Sequence, residues 1–275
     1  MDNLKQMIEE TVAYIRTKTS DRPKIGIILG TGLGGLARAI KREIEIPYDK
    51  IPNFPISTVE SHAGKLLFGT VGGKRVVAME GRFHLYEGYT LKQVTFPVRV
   101  MKALGIETLI VSNAAGGLNP QFAKGDIVLI TDHINFQGDN PLIGKNDDSL
   151  GPRFPDMFNC YDSDLRKLAI DVAREEKIVI GRGVYVGVAG PTLETAAEYR
   201  MLRIIGGDLV GMSSVPEVIV ARHQGTKVLG FSVVTDMGLP DALEPCSHQK
   251  IVAAAESAGP NLSRLIEKIV ERMQV

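Results

Sequence analysis

The chain has 275 residues, 44% of them hydrophobic, and 32 Lys+Arg balance 32 Asp+Glu. It can bury a sizeable core, and it has no net field to gather nucleic acid or an anionic membrane. No run of about 18 apolar residues is present to span a bilayer, and Met1-Asp2-Asn3-Leu4-Lys5-Gln6 lacks the basic-then-apolar order of a signal peptide, so a cytoplasmic protein is expected.

In chain order, Leu4, Met7, Ile8, Val12 and Ile15 recur at helical spacing and predict an amphipathic helix. Short β-branched runs come next at 25–29, 66–71, 75–79, 108–112, 127–131, 184–189, 208–212 and 228–235, with Gly72-Gly73 as a hairpin turn between two of them. Helical patterns lie between them at 91–104, 164–176, 194–205, 216–223 and about 248–273. Only 136–159 is rich in Gly, Pro, Asn and Asp without periodicity, which marks a long functional or disordered loop. No linker or repeat divides the chain. The expected fold is α/β, a single domain over 1–275 with a mixed, mostly parallel central sheet flanked by helices. Cys160 and Cys246 have neither metal spacing nor the number for a disulfide framework and read as free thiols.

The first run, Ile25 to Leu29, leads into Gly30-Thr31-Gly32-Leu33-Gly34-Gly35 and then a helix-like stretch. Such a loop gathers backbone N–H groups and a hydroxyl at a helix start, which suits phosphate. The same letters satisfy the dinucleotide fingerprint. That fingerprint calls for a second buried strand ending in Asp or Glu roughly 20 residues on. The chain instead runs through Lys41 to Pro47, then Pro52 and Pro55, and these prolines do not suit an inner parallel strand.

Ligands of open α/β sheets bind beyond the carboxyl ends of the strands, so the residues there form a site map. They are Thr31 in its loop, Gly81-Arg82-Phe83-His84 with Tyr86, Asn113-Ala114-Ala115-Gly116-Gly117, Gly190-Pro191-Thr192-Leu193-Glu194, Met212-Ser213 after Val210, and Asp236 after Thr235. Each has a plain structural alternative. Arg82 could be a solvated charge, but with His84 two residues away it offers two donors to one anion. His62 and Tyr86 fit core roles as well as a site. Glu194 could simply favour a helix N-terminus that it opens. Met212 could be core, and His248 could merely start the last helix behind a Ser247 cap. Asp236 comes after an apolar run and should be partly buried, which is costly without a partner.

Six segments in order resemble the trimeric purine nucleoside phosphorylases: 28–34, Ser61-His62-Ala63-Gly64-Lys65-Leu66, 81–89, 113–120, 190–195 and 210–218. The resemblance implies reversible phosphorolysis of purine nucleosides in purine salvage, by a homotrimer with no cofactor and no metal, inorganic phosphate being a co-substrate. It assigns phosphate to Thr31, Arg82, His84, the Ala114 N–H and Ser213, with His62 close by. Thr31 stands where relatives usually have Ser and keeps the hydroxyl. The resemblance assigns ribose to Tyr86, Met212 and His248, with Phe154 of the long loop covering the sugar in a neighbouring subunit. The base is assigned to Ala115, Tyr185, Leu193, Val210 and Thr235, with Glu194 and Asp236 on its polar edge; His84, Glu194 and Asp236 are the candidate catalytic groups.

One departure bears on the substrate: relatives specific for 6-oxopurines usually carry Asn where Asp236 stands. An ionised carboxylate only accepts and would repel O6, whereas a protonated one donates to N7 and accepts from a 6-amino group. Adenosine is therefore expected as a substrate, alone or beside inosine and guanosine. Two alternatives remain. Methylthioadenosine phosphorylases share the Thr-Asp pair, although His248 offers a polar rather than an apolar neighbour to the 5′ group. A non-catalytic nucleoside-binding protein would not need both Arg82 and His84.

Overall fold

The computed structural model describes residues 3–30, 34–58 and 63–274; Thr31 and His62 lie outside them. Strand β1 (Ile25–Leu29) is buried at every position, as its uninterrupted apolar sequence requires of a strand covered on both faces. It pairs in parallel with β4 (Lys74–Glu80) and β5 (Thr108–Gly117). Outward from β4, β3 (Lys65–Val71) and then β2 (Lys41–Pro47) pair antiparallel. Lys41–Pro47, not expected to be a strand, is therefore an edge, where the alternating exposure of its residues and a terminal proline are tolerated. The β3–β4 turn is Gly72-Gly73, both with positive φ (53° and 73°), as a two-residue hairpin requires.

The strand order is β2-β3-β4-β1-β5-β8-β7-β6-β9, with β9 (Lys227–Met237) also pairing with β5. With β6 (Ile127–Phe136), β7 (Ile180–Val188) and β8 (Leu209–Gly211), this closes β5-β8-β7-β6-β9 into a circuit. Among the described residues five pairings are parallel and four antiparallel, giving the mixed sheet.

Closure extends the strands beyond their expected ends. Residues 113–117 and Asp236, expected as loops after strands, are themselves strand, because β9 pairs along this small-residue segment and β8 joins it at Gly116 and Gly117. The β5–β9 register slips between Ala115 and Gly116: Ala115 faces Val234 and Gly116 faces Asp236, leaving Thr235 as an extra residue. A regular strand would turn Thr235 and Asp236 to opposite faces. The bulge lets both line one cavity.

One sheet face packs against α1 (Leu4–Arg16), α3 (Leu91–Val94), α4 (Phe96–Leu104) and α7 (Val215–His223); the other packs against α2 (Gly34–Ala39), α5 (Ser163–Glu175) and α8 (His248–Arg272). The stretch 91–104 is two helices because Pro97, in the first turn of α4, has no N–H to continue the ladder across Thr95. Helix α6 (Ala196–Ile204) begins later than expected. Thr195 is its cap, accepting from Glu198 N while the Glu198 carboxylate accepts from Thr195 N, so Glu194 stands outside the helix. Among the described residues no helix is long and apolar enough to cross a membrane.

Candidate active site

Arg82 lies two residues beyond β4, after Gly81, whose φ of 109° turns the chain inward. Its side chain is only 1% exposed. Nε and Nη2 donate to the two oxygens of Glu217 (3.1 and 3.0 Å), and Nη1 donates to the Ser112 carbonyl (2.8 Å) and Ser213 Oγ (3.2 Å). The guanidinium is thus fixed in plane, with one edge on Glu217 and Nη1 toward Ser213 at the cavity wall. Glu217 carries no role in the sequence reading. Its signal was a single carboxylate within the apolar run 215–221, which in the first turn of a buried helix demands a cationic partner.

His84 is held just as firmly. Its Nδ1 and its backbone N–H both meet Glu87 Oε1 at 2.8 Å, and its ring stacks on Tyr86 with centroids 4.6 Å apart. Burial pushes the Glu87 carboxyl up, but hydrogen bonds from His84 and Thr58 outweigh it and draw it down to about 2. Glu87 is then an anion that accepts the Nδ1 proton and fixes the tautomer. Sequence reasoning missed it too, one turn away from a residue that it found.

The rest of the lining comes from β5, β8, β9 and the segment before α6. Ala114, Ala115, Leu193, Glu194, Val210, Met212, Ser213, Thr235 and Asp236 line one cavity with Arg82, His84 and Tyr86. Glycine leaves room beside them: a Cβ on Gly116 would stand 3.2 Å from Val210 Cγ1 and 3.3 Å from Asp236 Oδ2, so one of these side chains would have to yield. Thr235 Oγ1 donates to Asp236 Oδ1 at 2.8 Å, which pins that carboxylate. Burial raises the pKa of Glu194 above its ordinary value and the charge of Asp236 adds to this, against the opposing effect of hydrogen bonds from its own backbone and from Tyr199. At the start of α7, Ser214 has φ 58° and is held by Asn113 Nδ2 (2.9 Å), whose Oδ1 accepts from Ser232 (2.7 Å). That chain sets where Ser213 points.

Several expected residues are placed differently. Tyr185 does not line the cavity: it is fully buried behind Gly211, and its hydroxyl accepts from Ser213 N at 3.3 Å. The β7 register turns its ring inward, so it supports the wall rather than facing a ligand. Phe154 is 87% exposed and is not among the lining residues. His248 is the first residue of α8, where Ser247 caps the helix by accepting from Lys250 N, and nothing of its side chain is described. Ile251, further along α8, lines the cavity and was not anticipated.

A profile of the phosphorylase superfamily matches residues 24–271. The chain is 51% identical over 271 residues to purine nucleoside phosphorylase 1 of Bacillus subtilis, covering 98% of this chain and 100% of that one. It is 48% identical over 270 residues to the purine nucleoside phosphorylase of Rattus norvegicus, covering 96% and 93%. Its fold matches the Schistosoma mansoni purine nucleoside phosphorylase solved with adenosine, with a TM-score of 0.93, 45% identity and 98% coverage of both chains. A Schistosoma purine nucleoside phosphorylase solved with guanosine matches with a TM-score of 0.92 and 44% identity, covering 98% of both chains. The chain belongs to the phosphorylase superfamily and, within it, to the purine nucleoside phosphorylases.

Proposed function

We propose that this enzyme cleaves purine ribonucleosides and deoxyribonucleosides reversibly with orthophosphate, in purine salvage, and that it takes adenosine as well as inosine and guanosine. The reading is carried by one arrangement: Arg82 and His84 line the same cavity as Glu194 and Asp236. Phosphate would lie against Arg82 Nη1, His84, the Ala114 N–H and the Ser213 hydroxyl, with Thr31 and His62 completing its cradle. Ribose would lie over Tyr86 and Met212 with His248 at its 5′-hydroxyl. Ala115, Leu193 and Val210 would pack on the base.

Glycosidic cleavage develops positive charge on the sugar and negative charge on the base, so both must be stabilised as they form. A phosphate oxygen bonds to C1′ as the C1′–N9 bond breaks, and the bonding pair leaves with the base. The held dianion is at once nucleophile and counter-charge to the oxocarbenium-like sugar. No covalent enzyme intermediate and no cofactor enters this scheme. Glu194, as carboxylate, accepts N1–H and a 2-amino group of a 6-oxopurine. Asp236 would share a proton with N7 of the bound base, where the leaving base gains one, and would accept from a 6-amino group. The Schistosoma relatives solved with adenosine, inosine and guanosine support a site of this build holding both base types.

We further propose a cytoplasmic homotrimer in which Phe154 covers the sugar bound by a neighbouring subunit. Its 87% exposure beside Arg153, whose guanidinium carbon lies 5.6 Å from the ring centroid, supports a role outside its own chain's cavity. The test is a spectrophotometric comparison of inosine, guanosine, adenosine and methylthioadenosine with and without phosphate. Turnover of the first three only with phosphate present is expected. Binding without turnover marks a nucleoside-binding protein, and faster release of adenine from methylthioadenosine than from adenosine reverses the substrate order.

A further inference from the structure

A second cavity, of about 800 Å³, shares no lining residue with the nucleoside cavity. It lies between the start of α1, α3 and α4, the loop 141–150, and His223 at the end of α7. Arg99 of α4 lines it and is 6% exposed. Its Nη1 meets His223 Nδ1 at 2.9 Å and donates to the Leu150 carbonyl at 3.3 Å, while Nε and Nη2 make no hydrogen bond among the described residues. Lys5, Lys92 and Lys145 line the same cavity, and Lys92 reaches to the loop, its Nζ lying 3.0 Å from where a Cβ on Gly144 would be. None of these four cations forms an ion pair among the described residues.

Asp147 and Asp148 also face the cavity, but Asp147 is engaged by the Ser149 N–H and hydroxyl (2.9 and 2.6 Å) and Asp148 by Asn146 (2.7 Å). Four cations against two engaged carboxylates leave the cavity positive. Burial draws the Arg99 guanidinium down to about 10, with the charge of Asp147 opposing. A guanidinium taken out of water without a carboxylate partner is costly, and its planar donors fit phosphate oxygens.

We infer that this cavity is a second anion site that takes a phosphomonoester, with the phosphoryl group against Arg99, Lys92 and Lys145 and the organic part toward Leu4, Leu142 and Ile143. Inorganic phosphate can occupy the cationic end, but it leaves most of the cavity unfilled, and these apolar walls offer such an ion nothing.

Equilibrium dialysis of the full-length protein tests this with inorganic phosphate and ribose 5-phosphate as probes. Because Arg99 also holds Leu150 and His223, the variant is Lys92→Ala/Lys145→Ala, which leaves those bonds intact. The wild type should bind two inorganic phosphates per chain and the lysine variant one, with nucleoside turnover at saturating phosphate unchanged. Ribose 5-phosphate affinity should fall at least tenfold in the lysine variant and hold in His84→Ala. Equal binding of both probes by wild type and lysine variant overturns the site; retention of inorganic phosphate without ribose 5-phosphate overturns the ester. If instead the proposed phosphorolytic site fails, the wild type binds one phosphate, insensitive to His84→Ala and lost in the lysine variant.

Discussion

Glu217 grips Arg82 with both carboxylate oxygens, at 3.1 and 3.0 Å, and the two side chains are 3% and 1% exposed. The pair fixes the guanidinium plane and offsets its charge, so Arg82 can meet a dianion in a rigid geometry. It also makes each partner hostage to the other, since a lone charge there would be buried without compensation.

Glu217→Met should therefore destabilise the fold by about 3 kcal/mol or more and remove saturation by phosphate. The double change Arg82→Met/Glu217→Met should recover most of that stability while staying inactive. Denaturant midpoints of the three proteins check this, and a double variant no more stable than the single one would contradict it.

In the proposed reading, Asp236 decides how the 6-position of the purine is met. Replacing it with Asn restores a donor to O6 and removes the acid at N7, so the ratio of kcat/KM for adenosine over inosine should fall at least tenfold, about 1.4 kcal/mol. An unchanged ratio counts against the assignment.

Glu194 has a raised pKa, from burial first and the charge of Asp236 second. Below that pKa it is protonated and cannot accept N1–H, so guanosine kcat/KM should fall on the acid side with a limb above the ordinary value of 4.5. In Glu194→Gln the limb should disappear along with about 100-fold of the activity, about 2.7 kcal/mol. A pH–rate profile retaining the limb in the variant would place it on another group.

Two groups set separate pH windows for stability. Burial lowers the His133 pKa from 6.5 to about 4 against the charge of Asp132, so the unfolded chain takes the proton first. Its contribution is full above pH 6.5 and is lost as pH falls toward 4, on the order of 2 kcal/mol after allowance for its partial contact with solvent. Glu87, despite the upward push of burial, is held down to about 2 by His84 and Thr58, so its contribution is present above 4.5 and is lost only as pH falls toward 2. Denaturation midpoints between pH 7 and 4 should decline in the wild type and flatten in His133→Gln; identical slopes would exclude His133.

Period and punctuation in the chain announce most of the strands and helices. They also announce the Gly72-Gly73 hairpin and the small residues that follow β1 and β4 and end β5, because these are local preferences of backbone and side chain. Arg82, His84, Glu194 and Asp236 stand out for the same reason: each is an isolated polar group beside glycine or an apolar run, and all four reach one cavity. What local pattern could not supply was who meets whom across long separations. Glu217 lies 135 residues from Arg82, and only the packing of α7 on the sheet brings them together. The family resemblance sets Tyr185 against the base, yet the β7–β8 pairing turns it behind Gly211. The closure of β5 onto both β8 and β9 made strand of what reads as loop, and the extra residue at Thr235 swung Asp236 into the cavity. Sequence alone determined the chemical groups and their local conformations. Tertiary structure decided their partners, because a hydrogen bond or ion pair depends on distances that a chain acquires only when its sheet closes.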